Sequence, residues 1–289
     1  MHKTVLLHEV IEGLNLSEGA RVVDATFGGG GHSLELCRRY GGVKIIALDQ
    51  DGSVLEKNLG CDISFHNENF RNLDKVLKGG GMGEVDGIIF DLGLSSDQLE
   101  DSGRGFSFLK DEPLLMTMKK PAKPEDVTAH DVVNTWGEEN LANIIYGYGE
   151  EKFAKRIARG IVEARKRGEI KSTGELVKII SDSVPAVYKR SRLHFATRTF
   201  QAIRIAVNDE LGALSEGLEK GFQFLKKNGR MAVISFHSLE DRIVKKFYKK
   251  KVGEEAGKLV NKKIIVPSAE EIKNNPRARS AKLRILEKI

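Results

Sequence analysis

Residues 21–33 read Arg21-Val-Val-Asp-Ala-Thr-Phe-Gly-Gly-Gly-Gly-His-Ser33, and a second informative segment, Lys44-Ile-Ile-Ala-Leu-Asp49, follows soon after. The first stretch combines a short apolar strand ending in Asp24, four glycines and a helix-like run over 32–40. The second is another apolar strand, which ends in Asp49, 21 residues after Gly28. A glycine turn lets a ligand approach the backbone, and an acid after the next strand can accept hydrogen bonds from ribose hydroxyls. Together these features predict a pocket for an adenosine-type cofactor.

The glycine turn discriminates between two cofactor classes. A dinucleotide fingerprint, Gly-x-Gly-x-x-Gly, is incomplete here, because counting from Gly28 places Ser33 at its third glycine. An S-adenosylmethionine pattern fits better, with an acid at Asp24 and glycines at alternate positions, Thr26 replacing the first of them. An acid at Asp24 would repel a pyrophosphate but suits a sulfonium with an ammonium tail. We therefore favour S-adenosylmethionine over a nicotinamide dinucleotide, and over a glycine-rich surface turn without a ligand.

Composition narrows the class of protein. The chain has 289 residues, 40% hydrophobic and 30% charged, as expected of a soluble globular protein. No apolar run approaches the roughly 20 residues of a membrane span, and the N-terminal apolar core is too short for a secretory signal. The two cysteines, Cys37 and Cys61, have no metal-ligand spacing and predict no disulfide framework, which favours a reducing cytoplasm. A net charge of +6 fits a polyanionic partner.

Short apolar segments alternate with helical segments over residues 20–100, which predicts a parallel α/β sheet. The predicted strands are Arg21–Asp24, Lys44–Leu48, Ile63–His66 and Gly87–Phe90, and the helical runs between them are 32–40, 52–59 and 71–78. The alternation returns late in the chain. Its elements there are a glycine turn over 225–229, a strand Met231–Ser235, a helix 239–250 capped by Ser238 and Asp241, and strands Lys262–Val266 and Lys282–Leu286.

Helical patterns dominate residues 105–220. Glu150–Arg167 is amphipathic with a basic outer face, Leu176–Ser183 follows a capping box, and Thr199–Leu225 carries one long amphipathic pattern. We therefore predict a sheet domain, 1–105 and 205–289, interrupted between its fourth and fifth strands by an all-helical insertion, 106–204.

The segment Asp91-Leu-Gly-Leu-Ser-Ser-Asp-Gln98 follows the fourth strand. Ligands of open α/β sheets bind beyond the carboxyl ends of the strands, so this loop is predicted to lie beside the cofactor pocket. Asp91 can accept a proton from a reacting amino group, Ser95 and Ser96 can hydrogen-bond a substrate, and Gln98 can contact the cofactor. The alternative is a polar turn without chemistry.

Ser235-Phe-His-Ser238 follows the fifth strand and is predicted to reach the same edge. His237 could act as a base or Phe236 could stack on a nucleobase, and the alternative is a helix cap. No cysteine follows a strand as a nucleophile, which favours methyl transfer to nitrogen or oxygen over transfer to carbon. The seven histidines are scattered, so the sequence predicts no metal site.

A basic segment with interleaved aromatic residues covers 188–204. His194 and Phe195 could stack on bases, and a second basic cluster covers 275–282. A solvated helix face is the alternative interpretation of both. The arginines predicted to contact RNA phosphates are Arg190, Arg192, Arg198 and Arg204.

The chain resembles the MraW/RsmH family of methyltransferases in motifs that span nearly its whole length. These motifs are Thr4-Val-Leu-Leu7, Asp24-Ala-Thr-Phe-Gly-Gly-Gly-Gly-His-Ser33, Phe90-Asp-Leu-Gly-Leu-Ser-Ser96, Arg104-Gly-Phe-Ser-Phe108, Tyr148-Gly-Glu-Glu-Lys-Phe-Ala-Lys-Arg-Ile-Ala158, Ala196-Thr-Arg-Thr-Phe-Gln-Ala-Ile-Arg204, Ile234-Ser-Phe-His-Ser-Leu-Glu-Asp-Arg-Ile-Val244 and Asn275-Pro-Arg-Ala-Arg-Ser280. The resemblance implies a class I methyltransferase (Rossmann-like) sheet with an all-helical inserted domain. It also implies transfer from S-adenosylmethionine to the exocyclic N4 of a cytidine in 16S rRNA, at the decoding centre of the small ribosomal subunit.

The resemblance further implies a set of cofactor contacts. They are Gly30, Gly31, His32, Asp49, Phe70, Asp91 and Gln98. The chain departs from DNA amino-methylases, which carry a Pro-Pro-aromatic motif after the fourth strand where this chain has Asp91-Leu-Gly-Leu. Two rival functions are a nicotinamide-dependent oxidoreductase and a non-catalytic ribosome-assembly factor. The sequence leaves an oligomer possible.

Overall fold

A computed structural model gives the structure of the chain and describes residues 3–54, 60–81, 83–95, 98–99 and 102–289. The chain forms two compact units. The first combines Met1–Gly93 with Leu211–Ile289, and the second is Leu94–Glu210. The predicted insertion, 106–204, lies within the second unit.

The first unit is built on a seven-stranded sheet with the order β3-β2-β1-β4-β5-β7-β6. The strands are β1 Arg21–Asp24, β2 Lys44–Asp49, β3 Asp62–Asn67, β4 Val85–Asp91, β5 Leu225–Ser235, β6 Gly257–Leu259 and β7 Lys282–Lys288. β1 to β5 are parallel, whereas β7 runs antiparallel to both β5 and β6. The predicted α/β class is confirmed. The strand order changes direction between β1 and β4, which is where open sheets of this kind bind ligands.

Helices cover both faces of this sheet. In the first unit they are α1 Leu7–Leu14, α2 Gly31–Arg39, α3 Leu73–Gly79, α10 Glu210–Phe224, α11 Ser238–Gly253 and α12 Ala269–Asn274. Alternate strand residues supply the two cores: Val22 and Ile89 pack on one side, and Val23 and Ile88 on the other. This near-continuous apolar character is typical of parallel strands buried on both faces.

Two predicted elements of the first unit are corrected by the structure. Residues 262–266 form no strand beyond a single bridge at Ile265, and the sheet edge is instead the short strand β6. The residues read as a glycine turn, 225–229, belong to β5. A register shift between Val85 and Gly87 accommodates them, and Asn228 has a φ of 65°. The sequence does not reveal this irregularity, because residues 226–229 have the polar, glycine-containing composition of a turn.

The second unit is helical in the part of the chain described. Its helices are α4 Ala129–Thr135, α5 Glu138–Gly147, α6 Ala154–Arg165, α7 Thr173–Ser183, α8 Ala186–Lys189 and α9 Thr197–Asn208. They enclose a separate apolar core that includes Val132, Ile157 and Ile203. The long pattern predicted over Thr199–Leu225 is two helices, because Asp209 adopts a left-handed conformation (φ 45°) that ends α9.

The two cysteines are joined in the structure, which corrects the prediction of no disulfide. Cys37 lies in α2 and Cys61 lies just before β3, with their Cα atoms 5.8 Å apart. Sequence spacing could not reveal this pair, because its proximity depends on the packing of α2 against the sheet. Among the described residues, no helix is long and apolar enough to cross a membrane.

Candidate active site

The glycine turn joins β1 to α2 at the carboxyl edge of the sheet. Gly30 caps α2 with a φ of 75°, and a Cβ atom built there would lie 2.7 Å from the ring of Phe27. A Cβ atom at Gly31 would lie 1.8 Å from the hydroxyl of Thr4. The two glycines are therefore required by the close packing of the turn itself. The first N–H groups of an α-helix have no partner within the helix, and a helix N-terminus favours polar or anionic ligand groups.

Asp24 ends β1 but is buried beneath the turn. Its carboxylate accepts a hydrogen bond from the hydroxyl of Ser33 at 2.6 Å and a longer one from the backbone N–H of Thr26 at 3.4 Å. Burial raises the pKa of Asp24 to about 6. This acid therefore anchors the first turn of α2 and adds negative potential beneath the site.

Asp49 ends β2, the neighbouring strand. Its two carboxylate oxygens accept backbone hydrogen bonds from Gly28 and Asp51, both at 2.8 Å. Each oxygen has a second lone pair, which can accept a hydrogen bond from a ribose hydroxyl. Burial raises the pKa of Asp49. The predicted ribose acceptor is thus held against the glycine turn in a fixed orientation.

Asp91 ends β4, which is separated in the sheet from β2 and its Asp49 by the single strand β1. The backbone N–H of Asp91 donates a hydrogen bond to the hydroxyl of Thr26 at 2.6 Å. Thr26, which replaces the first glycine of the pattern, therefore links the end of β1 to β4. Oδ2 of Asp91 lies 3.7 Å from Nδ1 of His32, whereas Oδ1 is buried with no hydrogen-bond partner among the described residues. Burial, with the nearby carboxylates of Asp24 and Glu240, raises the pKa of Asp91 to about 8.

His237 follows β5 and caps α11. Its Nδ1 accepts a hydrogen bond from the N–H of Glu240, while the Glu240 carboxylate accepts from the backbone N–H groups of Phe236 and His237. The cap therefore lies one residue earlier than the predicted cap at Ser238 and Asp241. Histidine is an unusual N-cap residue, so the sequence pattern does not identify Glu240, three residues later, as its capping partner.

Phe70 lies in a single 3-10 turn, Phe70–Asn72, after β3. Its ring meets Phe90 edge-on, with 5.5 Å between ring centroids. A Cβ atom at Gly217 in α10 would lie 2.7 Å from the Phe70 ring. Phe70 is thus fixed between α10 and β4.

The predicted site residues of the second unit form a local turn. The backbone N–H of Ser95 donates to Oε1 of Gln98, and the N–H of Gln98 donates to the hydroxyl of Ser95. This leaves the Nε2 group of Gln98 as the end able to donate to a ligand. Ser96, the other predicted serine, lies outside the described residues.

The predicted RNA-contacting arginines fall into two groups. Arg190 and Arg192 are exposed. Arg198 donates to the carbonyl of Glu150, and Arg204 makes a two-pronged ion pair with Glu210 at 2.8 and 2.9 Å. The aromatic residues of the same segment also pack internally: the ring of His194 stacks on that of Phe108 and contacts Phe195.

The carboxyl edge of the first unit fits a cationic nucleoside ligand. Asp24, Asp49 and Asp91 end three adjacent strands. Desolvation of the three carboxyl groups keeps the pKa of each above its ordinary value. A positively charged sulfonium and ammonium would favour ionisation of such acids, whereas a pyrophosphate would be repelled. Oδ1 of Asp91, which has no hydrogen-bond partner among the described residues, can accept one further hydrogen bond.

Comparison with known proteins agrees with this reading of the site. The model of the MraW methylase family matches residues 1–289. Ribosomal RNA small subunit methyltransferase H of Brevibacillus brevis is 44% identical, covering 100% of this chain and 98% of the relative. The protein of the same name from Ruminiclostridium cellulolyticum is also 44% identical, over 100% and 99%.

Among solved structures, an rRNA methylase from Streptococcus thermophilus matches with a TM-score of 0.47 and 13% identity over 100% of this chain and 99% of the other. That likeness is too distant to carry an argument. The family match and the full-length relatives are sufficient without it. The chain belongs to the MraW methylase family and is an S-adenosylmethionine-dependent methyltransferase.

Proposed function

We propose that the protein methylates the exocyclic N4 of a cytidine in 16S rRNA, at the decoding centre of the small ribosomal subunit. The names of the full-length relatives support small-subunit rRNA as the substrate. The observation that carries the choice of an amino nitrogen is Asp91, a half-buried carboxyl at the end of β4 whose buried Oδ1 has no partner among the described residues. Such a group can accept a hydrogen bond from an amino group and then its proton.

S-adenosylmethionine, when bound, supplies an electrophilic methyl group on its sulfonium. Gly30, Gly31 and His32 at the start of α2 are the proposed contacts for its polar portion, and Asp49 for its ribose hydroxyls. Phe70 is the proposed contact for adenine, and Gln98 is a further proposed cofactor contact. The Gly28 hydrogen bond joins the turn to Asp49, which supports a proposed pocket whose turn and ribose acceptor are held together.

Asp91 is the proposed proton acceptor. The N4 lone pair forms the new N–C bond as the C–S bond breaks, and the proton then lost from N4 passes to the Asp91 carboxylate. His32, 3.7 Å from Asp91, is placed to stabilise that carboxylate. His237 is held in its cap by Glu240, which favours a positioning role over that of a base. Ser95 and Ser96 are proposed to orient the cytosine.

The second unit is the proposed RNA-recognition domain, and the first is the proposed methyltransferase domain. A target cytosine must leave its stack to reach a pocket of this kind. Arg190 and Arg192 are the better candidates for phosphate contacts, because Arg198 and Arg204 already bind groups within the unit. We place the protein in the cytoplasm, where ribosomal subunits are assembled in bacteria.

The test is methyl transfer with labelled S-adenosylmethionine to small subunits that lack the modification, with naked rRNA in parallel. Nucleoside mass analysis should place the label on N4 of cytidine. Label on another nucleoside would overturn the proposed acceptor. Cofactor binding without any transfer to either substrate would favour the rival function, a non-catalytic assembly factor.

A further inference from the structure

One face of α11 carries four basic residues that no predicted role accounts for. They are Arg242, Lys245, Lys246 and Lys249, and all four are exposed. Their spacing of i, i+3, i+4 and i+7 places them along one side of the helix. The opposite side packs into the core through Val244, Phe247 and Tyr248. We call these four residues the α11 stripe.

The acids beside α11 are occupied by other cations. Glu219 and Glu254 both bind Lys250 and Lys251. Asp241 binds Arg284 and Lys282 instead. Within the described ranges, Lys245, Lys246 and Lys249 have no ion pair. A solvated face normally mixes the two signs, whereas the sequence from Arg242 to Lys249 contains no acidic residue.

The α11 stripe starts near the chemistry. α11 begins at Ser238, three residues after β5 ends, and its cap is the His237–Glu240 pair at the carboxyl edge of the sheet. From Arg242 to Lys249 the helix rises about 10 Å away from that edge. The stripe and the Asp91 carboxyl both belong to the first unit.

We propose that the α11 stripe binds the phosphate backbone of the substrate RNA next to the target nucleotide. This inference rests on the proposed function, since it identifies a contact surface for the same substrate. Lysine ammonium groups neutralise phosphates without reading sequence, which suits a contact that positions the strand. A membrane partner does not fit, because the apolar side of α11 is already buried in the protein core.

The test compares two triple variants of equal charge. One is Lys245→Gln, Lys246→Gln and Lys249→Gln; the control is Lys44→Gln, Lys75→Gln and Lys78→Gln, three exposed lysines of the same unit. Binding to an unmethylated small-subunit rRNA fragment is measured by anisotropy at several salt concentrations. The stripe variant should bind roughly tenfold more weakly, and its log–log salt slope should be shallower by about 2. The control should keep the wild-type slope.

Equal loss of slope in both variants would overturn the proposal, because net charge alone would explain it. An unchanged slope in the stripe variant would overturn it as well. Each single substitution, measured separately, should reduce the slope by about 0.7, so the result does not depend on the triple variant folding. Thermal melting and calorimetric binding of S-adenosylmethionine should match wild type for both triples. If the wild-type protein methylates no RNA at all, the proposed function fails rather than this surface.

Discussion

The charged side chains at the carboxyl edge of the sheet and those on helix α9 differ in whether they have partners within the protein. At the edge, Asp24 is buried and Asp91 is half-buried, neither has a lysine or arginine partner among the described residues, and the pKa of each is raised. On α9, Arg204 is matched to Glu210 and Arg198 to a backbone carbonyl. Buried like charges cost free energy unless something else compensates them. The edge is therefore organised for an incoming cation, whereas the charges of α9 mainly hold its own unit together.

The largest effect should come from Asp91→Asn, which removes the proposed proton acceptor. Methyl transfer at saturating cofactor should fall at least about 100-fold, as expected for loss of a general base. Asp86→Asn is the control, because Asp86 lies at the other end of β4 and bonds only Arg21 and Lys226. Single-turnover transfer measures both variants. Near-normal turnover in the Asp91 variant would assign the proton to another group.

Asp49→Ala should weaken binding of S-adenosylmethionine roughly 10- to 100-fold. Hydrogen bonds to a charged acceptor contribute about 1.5–3 kcal/mol, and the variant also loses the Gly28 contact that fixes the turn. Titration calorimetry gives the affinity directly. Asp62→Asn at the amino end of β3 serves as a control and should bind normally. An unchanged affinity for the Asp49 variant would reject its ribose role.

The raised pKa of Asp91 predicts a specific pH dependence for the ligand-free protein. Between pH 4 and pH 8 the folded state holds a proton that the unfolded state has released, so this group's contribution to stability falls as pH rises. The charged groups facing Asp91 are Asp24, Glu240 and, when protonated, His32. The slope is at most about 1.4 kcal/mol per pH unit.

Urea unfolding of wild type and Asp91→Asn at pH 5, 6, 7 and 8 isolates this contribution. The wild-type protein should lose stability relative to the variant as pH increases. A constant difference across the range would show that Asp91 is ionised throughout. Cofactor affinity should change in the opposite sense, because the ionised carboxylate attracts the cation.

The smallest effects should separate the two groups of arginines. Arg204→Ala leaves Glu210 largely buried without its partner, so the second unit should lose about 2 kcal/mol of stability while the salt slope of RNA binding is retained. Arg190→Ala with Arg192→Ala should leave the melting temperature unchanged and reduce the salt slope by about 1.4. If Arg204→Ala alone flattens the slope, α9 faces RNA after all.

Sequence patterns located the parallel strands well, because buried strands are continuous apolar runs that end in polar residues. They also predicted that Asp49 and Asp91 lie at the carboxyl edge of the sheet, and the structure has both there. Patterns did not reveal Thr26 as the link to Asp91, because that hydrogen bond joins residues 65 positions apart. Nor could they show that Arg204 is matched to Glu210, since a basic run looks alike whether its charges are internal or exposed.

The pairing of β4 with β5 has a consequence for synthesis of the protein. β4 ends at Asp91 and its outer neighbour begins at Leu225, so one edge of a fully buried strand stays open while the whole second unit is translated. At bacterial elongation rates of roughly 5–20 residues per second, this interval is on the order of ten seconds. We expect the helical unit, whose core is complete by α9, to fold on the ribosome while the first half of the sheet still waits for its partner.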